Sequence, residues 1–464
     1  MKHYSVKTLI NSTIPAKSLN LIVALALSGL LVFSCAPPTK HYVKVNQSLM
    51  QQDYDSAIAE LQKNKGEYKE RNAALFYLEE GLLQHFASNH QQSNQSLAKA
   101  EGIMDELYTK SISKQAASFL INDNTIPYRG EDFENALVNL FMALNYVEAG
   151  QREDALVEAR KVDNKLNVLN SHYDDDKKNV YREDAFIRFL MGVLYEAEGE
   201  VNDAFISYRK AEEIYRNDYA NWYGVSAPSL LIENLLSTGK DLGFKEEVAK
   251  LQDSYPDVKY MDLAQKKDMA ELYCIHYNGM GPEKVEKRWI IPMPDGYLAK
   301  IAYPEFQRKN YQIHHGDVLL RNVANGQTYQ FDTVMMEDIG SIAVTNLEKR
   351  LARIKVKAIA RATTKYLATK TASKVAEDQG GAMLGLLVQV AGNIAAAATE
   401  KADLRHWRML PAEIRIGRAI IPPGEYEASI RFLNASGLEI SKRQLQNITV
   451  QAGEKIFLSD QTLQ

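Results

Sequence analysis

Three places in the 464-residue sequence bring metal-ligating or acid–base side chains within a few positions of each other. Cys274-Ile275-His276 offers a thiolate and an imidazole. His314-His315-Gly316-Asp317 offers two imidazoles and a carboxylate, and Asp174-Asp175-Asp176 offers three carboxylates. Each falls short of a site. Zinc needs three or four ligands at defined spacing, and no further Cys or His follows closely after His276. Cys274 is expected to be a structural thiol beside a helix end. Adjacent histidines in an extended segment point to opposite faces, so His314 and His315 cannot close on one ion. Calcium loops alternate their acidic ligands, whereas these three aspartates are consecutive, so the 171–179 stretch reads as a solvated linker. No nucleophile elbow, Walker loop or HExxH helix is found. The sequence therefore points away from an enzyme, a metal, a cofactor and a small-molecule substrate.

Charge is the more informative chemistry. Residues 36–270 carry 27 Lys and Arg against 39 Asp and Glu, while residues 271–464 carry 25 against 20. The acidic first half speaks against nucleic-acid binding. In the second half Lys349, Arg353, Lys357, Arg361 and Lys365 step by four and read as one basic ridge on a helix. Like charges at that spacing repel by a few tenths of a kcal/mol per pair, so something anionic is expected to face them. Lipid head groups, an anionic envelope polymer, a partner protein and the acidic half of the same chain are the alternatives.

The elements that hold these groups begin after a targeting segment. Lys2, Lys7 and Lys17 precede an apolar run from Leu19 to Phe33, with no acidic residue before Asp53. The run is too short for a span of ~20 residues and has the form of a secretory signal. Leu31-Val32-Phe33-Ser34-Cys35 resembles the lipobox of bacterial lipoproteins, with Phe33 where a smaller residue is usual. That resemblance implies cleavage after residue 34 and a lipid on the Cys35 thiol, and Ala36, in place of Asp, implies the outer membrane. An uncleaved anchor or an ordinary cleaved signal peptide are the alternatives. Residues 35–45, with Pro37-Pro38, read as an extended tether.

Residues 46–275 read as helical repeats. From Phe189 to Ala211, Gly192, Tyr195, Gly199, Ala204, Tyr208 and Ala211 resemble the tetratricopeptide signature, in which small residues let two antiparallel helices approach and aromatics fill the space between them. A second copy runs from Leu140 to Val162 and a weaker one from Tyr77 to Ala100, with a partial helix at Tyr54–Leu61. Insertions must separate the copies. One of them, Ile121 to Glu134, carries Tyr128, Arg129 and Phe133, residue types enriched at interaction hot spots, and is the candidate partner-binding element. The other reading is that its aromatics plug the groove between helices.

After residue 275 the pattern becomes strand-like. Residues 276–344 and 404–464 are expected to form one small β-sandwich, split by a helical hairpin over 345–403. The second arm of that hairpin, 380–398, holds no charge over 19 residues. It is expected to be buried between the basic helix and the sandwich, with membrane entry as the alternative.

Tyr128-Arg129-Gly130-Glu131-Asp132-Phe133, Ala143-Leu144-Asn145-Tyr146 and Ala402 to Pro411 followed by Pro422-Pro423-Gly424-Glu425-Tyr426 together resemble a family of bacterial envelope lipoproteins with tetratricopeptide-like repeats. The resemblance spans the mature chain. Genes of such proteins often lie near one for a lipoprotein activator of peptidoglycan synthases. It implies a periplasm-facing, lipid-anchored scaffold whose partners are envelope proteins, peptidoglycan-synthesis components among them.

Overall fold

The computed structural model describes residues 40–112, 123–171 and 180–463. Cys35 and the acidic run Asp174-Asp175-Asp176 lie outside the described residues.

Helices of the first half come in pairs: α1 (Lys40–Met50) with α2 (Tyr54–Lys63), α3 (Ala73–Phe86) with α4 (His90–Ile112), α5 (Asp132–Glu148) with α6 (Arg152–Ser171), α7 (Ala185–Ala197) with α8 (Val201–Ile214), and α9 (Ser229–Asp241) with α10 (Lys245–Ser254). The small residues do what their spacing requires. A Cβ on Gly192 would lie 2.4 Å from the Tyr208 ring, and one on Gly81 would lie 2.6 Å from Leu97. Gly199 closes the α7–α8 turn at φ +79°, a left-handed conformation that glycine adopts without a Cβ clash. The last pair, α9–α10, falls within the residues 46–275 expected to be helical repeats.

The β-rich half builds two sheets. The first has the order β11 (Lys455–Thr462), β1 (Ala270–Asn278), β7 (Glu413–Ile421), β6 (Val334–Glu337). The second has the order β10 (Ile448–Val450), β8 (Gly424–Leu433), β4 (His315–Asn322), β5 (Thr328–Asp332), with β9 (Glu439–Gln444) added on β8. Strand β1 is buried along its whole length and serves two cores. Tyr273, Ile275 and Tyr277 join the core of the helical array. Leu272 and Cys274 join the core between the sheets, with Val318 and Leu320 of β4 and Ile430 and Phe432 of β8. The order of layers is therefore helices, first sheet, second sheet.

Three expectations need correcting. Residues 40–45, expected within an extended tether, are the first turns of α1, with Tyr42 and Val45 buried. Cys274 sits in the middle of a central strand, not beside a helix end, because β1 begins at Ala270 and pairs with both β11 and β7. Strands β2 (Glu283–Pro292) and β3 (Leu298–Gln307), expected in the same sandwich, form a separate two-stranded ribbon that packs on the inserted helix.

Helices α3, α5, α7 and α9 lose most of their solvent contact, and side chains of the first sheet bond to the array. Tyr277 Oη donates to Glu148 at 3.0 Å, Ser459 Oγ donates to the same carboxylate at 2.8 Å, and Tyr215 Oη donates to the carbonyl of Met336 at 2.8 Å. Array and sheet share one continuous apolar core.

Candidate functional site

The insertion opens with α11 (Ile339–Gly380), 42 residues long and so about 63 Å. Asp338 caps it by accepting from the Ser341 N–H at 2.8 Å. Its first turns are held firmly, with Ile339, Ile342, Ala343 and Leu347 in the main core. Ala358 and Ala362 then pack on Ile301 of the ribbon, and beyond Ala362 no residue of α11 is buried. The helix leaves the body there, and α12 (Ala382–Thr399) returns along it. The two arms meet closely: a Cβ on Gly392 would lie 2.6 Å from Thr369, and Ser373 Oγ donates to the Gly385 carbonyl at 2.8 Å. Arg361 and Lys365 bond the Glu400 carboxylate at the base of the hairpin, at 3.0 and 2.7 Å, with Arg361 and Glu400 both buried.

The expected burial of 380–398 does not hold. Only Gly385 of α12 is buried. Met383, Leu386, Leu387, Val390 and Ile394 follow a helical spacing along one stripe, and each is 50 to 71 % exposed. The opposite face is spent on α11 and on the ribbon, where Gln389 donates to the Asp295 carbonyl and Asn393 accepts from the Leu298 N–H. One arm is therefore an uncharged, outward-facing apolar stripe. By length and composition α12 is also the one helix among the described residues that is apolar enough to cross a membrane.

The basic residues do not form one ridge. An α-helix turns 3.6 residues per turn, so steps of four drift by about 40° each and by about 160° from Lys349 to Lys365. Lys349 lies over the Trp222 ring, 4.3 Å from its centroid. Arg353, Lys357 and Arg361 line a cleft, and Arg361 and Lys365 hold Glu400. The anionic partner at the lower end is thus the chain's own Glu400. The acids of the repeat half pair with other bases: Glu131 with Lys284 and Arg350, and Glu233 with Arg418.

That cleft has a volume of about 200 Å³ and is walled by the 126–132 loop, by α11 and by the segment after α12, with Ala302 and Pro304 of the ribbon in its lining. It gathers eight basic side chains, Arg129, Lys284, Arg350, Arg353, Lys357, Arg361, Lys401 and Arg405, against three acidic ones, Glu131, Asp132 and Asp403. Burial alone would raise Glu131, but Lys284 and Arg350 outweigh it and hold the carboxyl well below its usual range. Asp403 is bonded by Arg405 at 2.7 Å.

Of the residues expected to bind a partner, only Arg129 is exposed. Tyr128 and Phe133 are buried, Tyr128 donating to Glu134 and Phe133 packing edge-on to Phe306 at 6.2 Å. They plug the junction of the two halves. The segment 402–410 threads into the same junction. Glu134 accepts from the Trp407 N–H at 2.7 Å, Glu79 accepts from the Arg408 and Met409 N–H groups at 3.0 and 3.1 Å, and Arg405 donates to the Ile126 carbonyl at 2.9 Å. Burial pushes the Glu79 carboxyl up to about 7 against the opposing pull of Arg408 and these donors. Two of the stretches that carried the family resemblance, Tyr128–Phe133 and Ala402–Pro411, thus meet at this junction. No sequence signal pairs Glu79 with residue 408, because a buried carboxylate facing backbone donors leaves no motif.

Among the described residues no three His, Cys, Asp or Glu side chains gather as a metal site. Asp317 is bonded by Gln330 and Arg431, and burial pushes the Cys274 thiol far above its ordinary range.

No protein-family model matches the chain, and no curated protein does. Among solved structures, the chain is similar in part to BtubC (BKLC) from P. vanneervenii, with 16 % identity and a TM-score of 0.33 over 52 % of this chain and 87 % of that one. MamA gives 14 % identity and a TM-score of 0.29 over 48 % and 95 %. A Rap protein complexed with competence and sporulation factor gives 13 % identity and a TM-score of 0.27 over 46 % and 51 %.

Proposed function

We propose that this chain is a non-enzymatic docking scaffold of the bacterial envelope, anchored at the outer membrane through Cys35 and facing the periplasm, whose docking element is the α11–α12 hairpin rather than the repeat surface. The observation that carries this reading is the exposed stripe Met383, Leu386, Leu387, Val390 and Ile394 on an arm that projects from a rigid body. Covering five half-exposed apolar side chains returns roughly 1 kcal/mol each, enough to select a partner when the presenting element is already ordered. The repeats supply the rigidity, since the first sheet already occupies one side of their core. The partners fitting this reading are other envelope proteins, those of cell-wall assembly included.

The test is photo-crosslinking in intact cells from Leu387, with Leu438, in the turn between β8 and β9, as an exposed apolar control. A discrete set of envelope proteins captured from Leu387 and absent from Leu438 supports the scaffold. Capture at Leu387 no stronger than at Leu438 refutes it.

A second reading is favoured by the 18 uncharged residues of α12: the helix enters a bilayer. Carbonate extraction of a Cys35→Ser chain separates the two, because a scaffold held only by its lipid is released and an inserted helix is retained.

A further inference from the structure

We infer that the apolar stripe of α12 is covered by the same stripe of a second copy of this chain, the two helices joined as the seam of a coiled coil. The inference rests on the reading of the hairpin as the docking element and names what first occupies it.

Along α12, Met383, Leu387, Val390 and Ile394 stand four, three and four residues apart. That is the alternation of the d and a positions of a heptad, by which one helix seats another, knobs into holes. Exposure follows the same frame. The other exposed residues of α12 from Met383 onward, Leu386, Ala391 and Ala398, fall at g or e, beside the seam. Gly385 and Gly392 fall at f, on the opposite face, and meet α11 at Glu377 and Thr369. One face of α12 is thus already spent on a helix, and the face opposite has the period that takes a second one.

The flanks identify that second helix. The e and g residues of coiled coils are often Glu and Lys, whose charges set partner choice and orientation. Here those positions hold Leu384, Leu386, Ala391, Asn393 and Ala398, and α12 carries no charge along its length. A seam without charge meets itself without like-charge repulsion, so a two-fold axis can pass through it. An axis between Leu387 and Val390 pairs position 383 of one copy with 394 of the other, pairs 387 with 390, and opposes the two helix dipoles.

The apolar surface continues past α12. Leu298 donates its N–H to Asn393 at the g edge. Ile290 pairs with Lys300, two residues from Leu298, so Ile290 and Leu298 share one face of the ribbon, 58 and 46 % exposed. Even so, the contact spans about ten residues a side, fewer than the ~20–30 of a standard interface. The dimer should therefore exchange with monomer at micromolar concentration, which leaves the stripe open to a competing partner.

The experiment is sedimentation equilibrium of the full chain carrying Cys35→Ser, so that no lipid anchor contributes. The seam variant is Leu387→Lys with Ile394→Lys, both exposed a positions, and the control is Leu438→Lys in the turn between β8 and β9. Parent and control should dimerise. In the seam variant the dissociation constant should rise about a hundredfold or more, because each dimer loses four apolar side chains. A parent that stays monomeric to about 100 μM, well above the expected range, overturns the inference, as does association that the seam variant retains. A monomeric parent is then sedimented with phosphatidylglycerol vesicles: binding that the seam variant loses gives the stripe to a bilayer, and no binding leaves it to a different protein. A monomeric parent with capture of other envelope proteins from Leu387 in cells overturns the second copy alone; a dimer without such capture overturns only the wider docking role. A thermal melt shared by parent and variants shows that the fold is intact in each case.

Discussion

Glu79→Gln tests whether the two halves are locked as described. Glu79 is fully buried and accepts three hydrogen bonds, from the N–H groups of Arg408 and Met409 and from Tyr42 Oη at 3.1 Å. Glutamine keeps the shape but replaces one acceptor oxygen with a donor, so one of the two backbone N–H groups loses its partner, at a cost of about 1–3 kcal/mol. The pH dependence is the sharper readout. Burial raises the carboxyl from 4.5 to about 7. Between those values the folded chain holds a proton that the unfolded chain has released, so the contribution of this group to stability is full below pH 4.5. It declines as pH rises through 7, by about 3 kcal/mol in all. Asp163, raised by burial to about 6, shifts stability in the same direction, so the parent alone is uninformative and the difference between parent and Glu79→Gln isolates the site. The assay is urea unfolding from pH 4.5 to 8. The parent's advantage over Glu79→Gln should be largest at the acid end and shrink by about 3 kcal/mol by pH 8. An advantage that grows with pH would show that the backbone donors hold Glu79 as an anion, and a constant one would show that the group does not titrate in the fold.

Three further outcomes follow from particular contacts. Gly192→Ala places a Cβ 2.4 Å from the Tyr208 ring, which is pinned by Glu196 at 2.9 Å and Asn234 at 3.1 Å; it should lower stability by about 1–3 kcal/mol despite alanine's better helix propensity, and an unchanged denaturation midpoint would mean α7 and α8 separate freely. Trp407→Ala removes a buried ring that meets Phe141 at 5.8 Å and should cost about 3–5 kcal/mol, whereas a loss under 1 kcal/mol in the same urea titration would refute the interlock. Leu386→Ser with Leu387→Ser should change stability by less than about 0.5 kcal/mol while abolishing capture at the hairpin; a large loss of stability would mean the stripe is covered within the chain.

The sequence made the helical pairs readable because close approach demands glycine, alanine or serine at fixed places: Gly81, Gly192 and Ala204 stand where two helices touch. Strand β1 is hidden in the sequence for the opposite reason. Buried on both faces, Ala270–Asn278 shows no alternation, and its apolar run blends into the preceding helices. Residue type misled at Tyr128 and Phe133, since the aromatics that make interaction hot spots are also those that fill a junction. The exposure of the α12 stripe is not legible in the sequence because an uncharged helix is normally buried; which face meets α11 is decided by Gly385 and Gly392 together with Gln389 and Asn393, and only the packed structure assigns them to the inside. The cleft is assembled from positions 126–132, 350–361 and 401–405, and no local pattern could join them.

Arg361 belongs to both features of the insertion. It lines the cleft, and through Nη2 and Nε it also bonds Glu400 at 3.0 and 3.3 Å, closing the base of the hairpin. Lys365 holds the same carboxylate at 2.7 Å. Glu400→Gln takes the anion away from a buried guanidinium, so it should loosen the return of α12 along α11. Hydrogen exchange over 382–399 should then accelerate relative to the parent. Unchanged exchange would show that the apolar and small-residue contacts between the two arms hold α12 in place without the ion pairs.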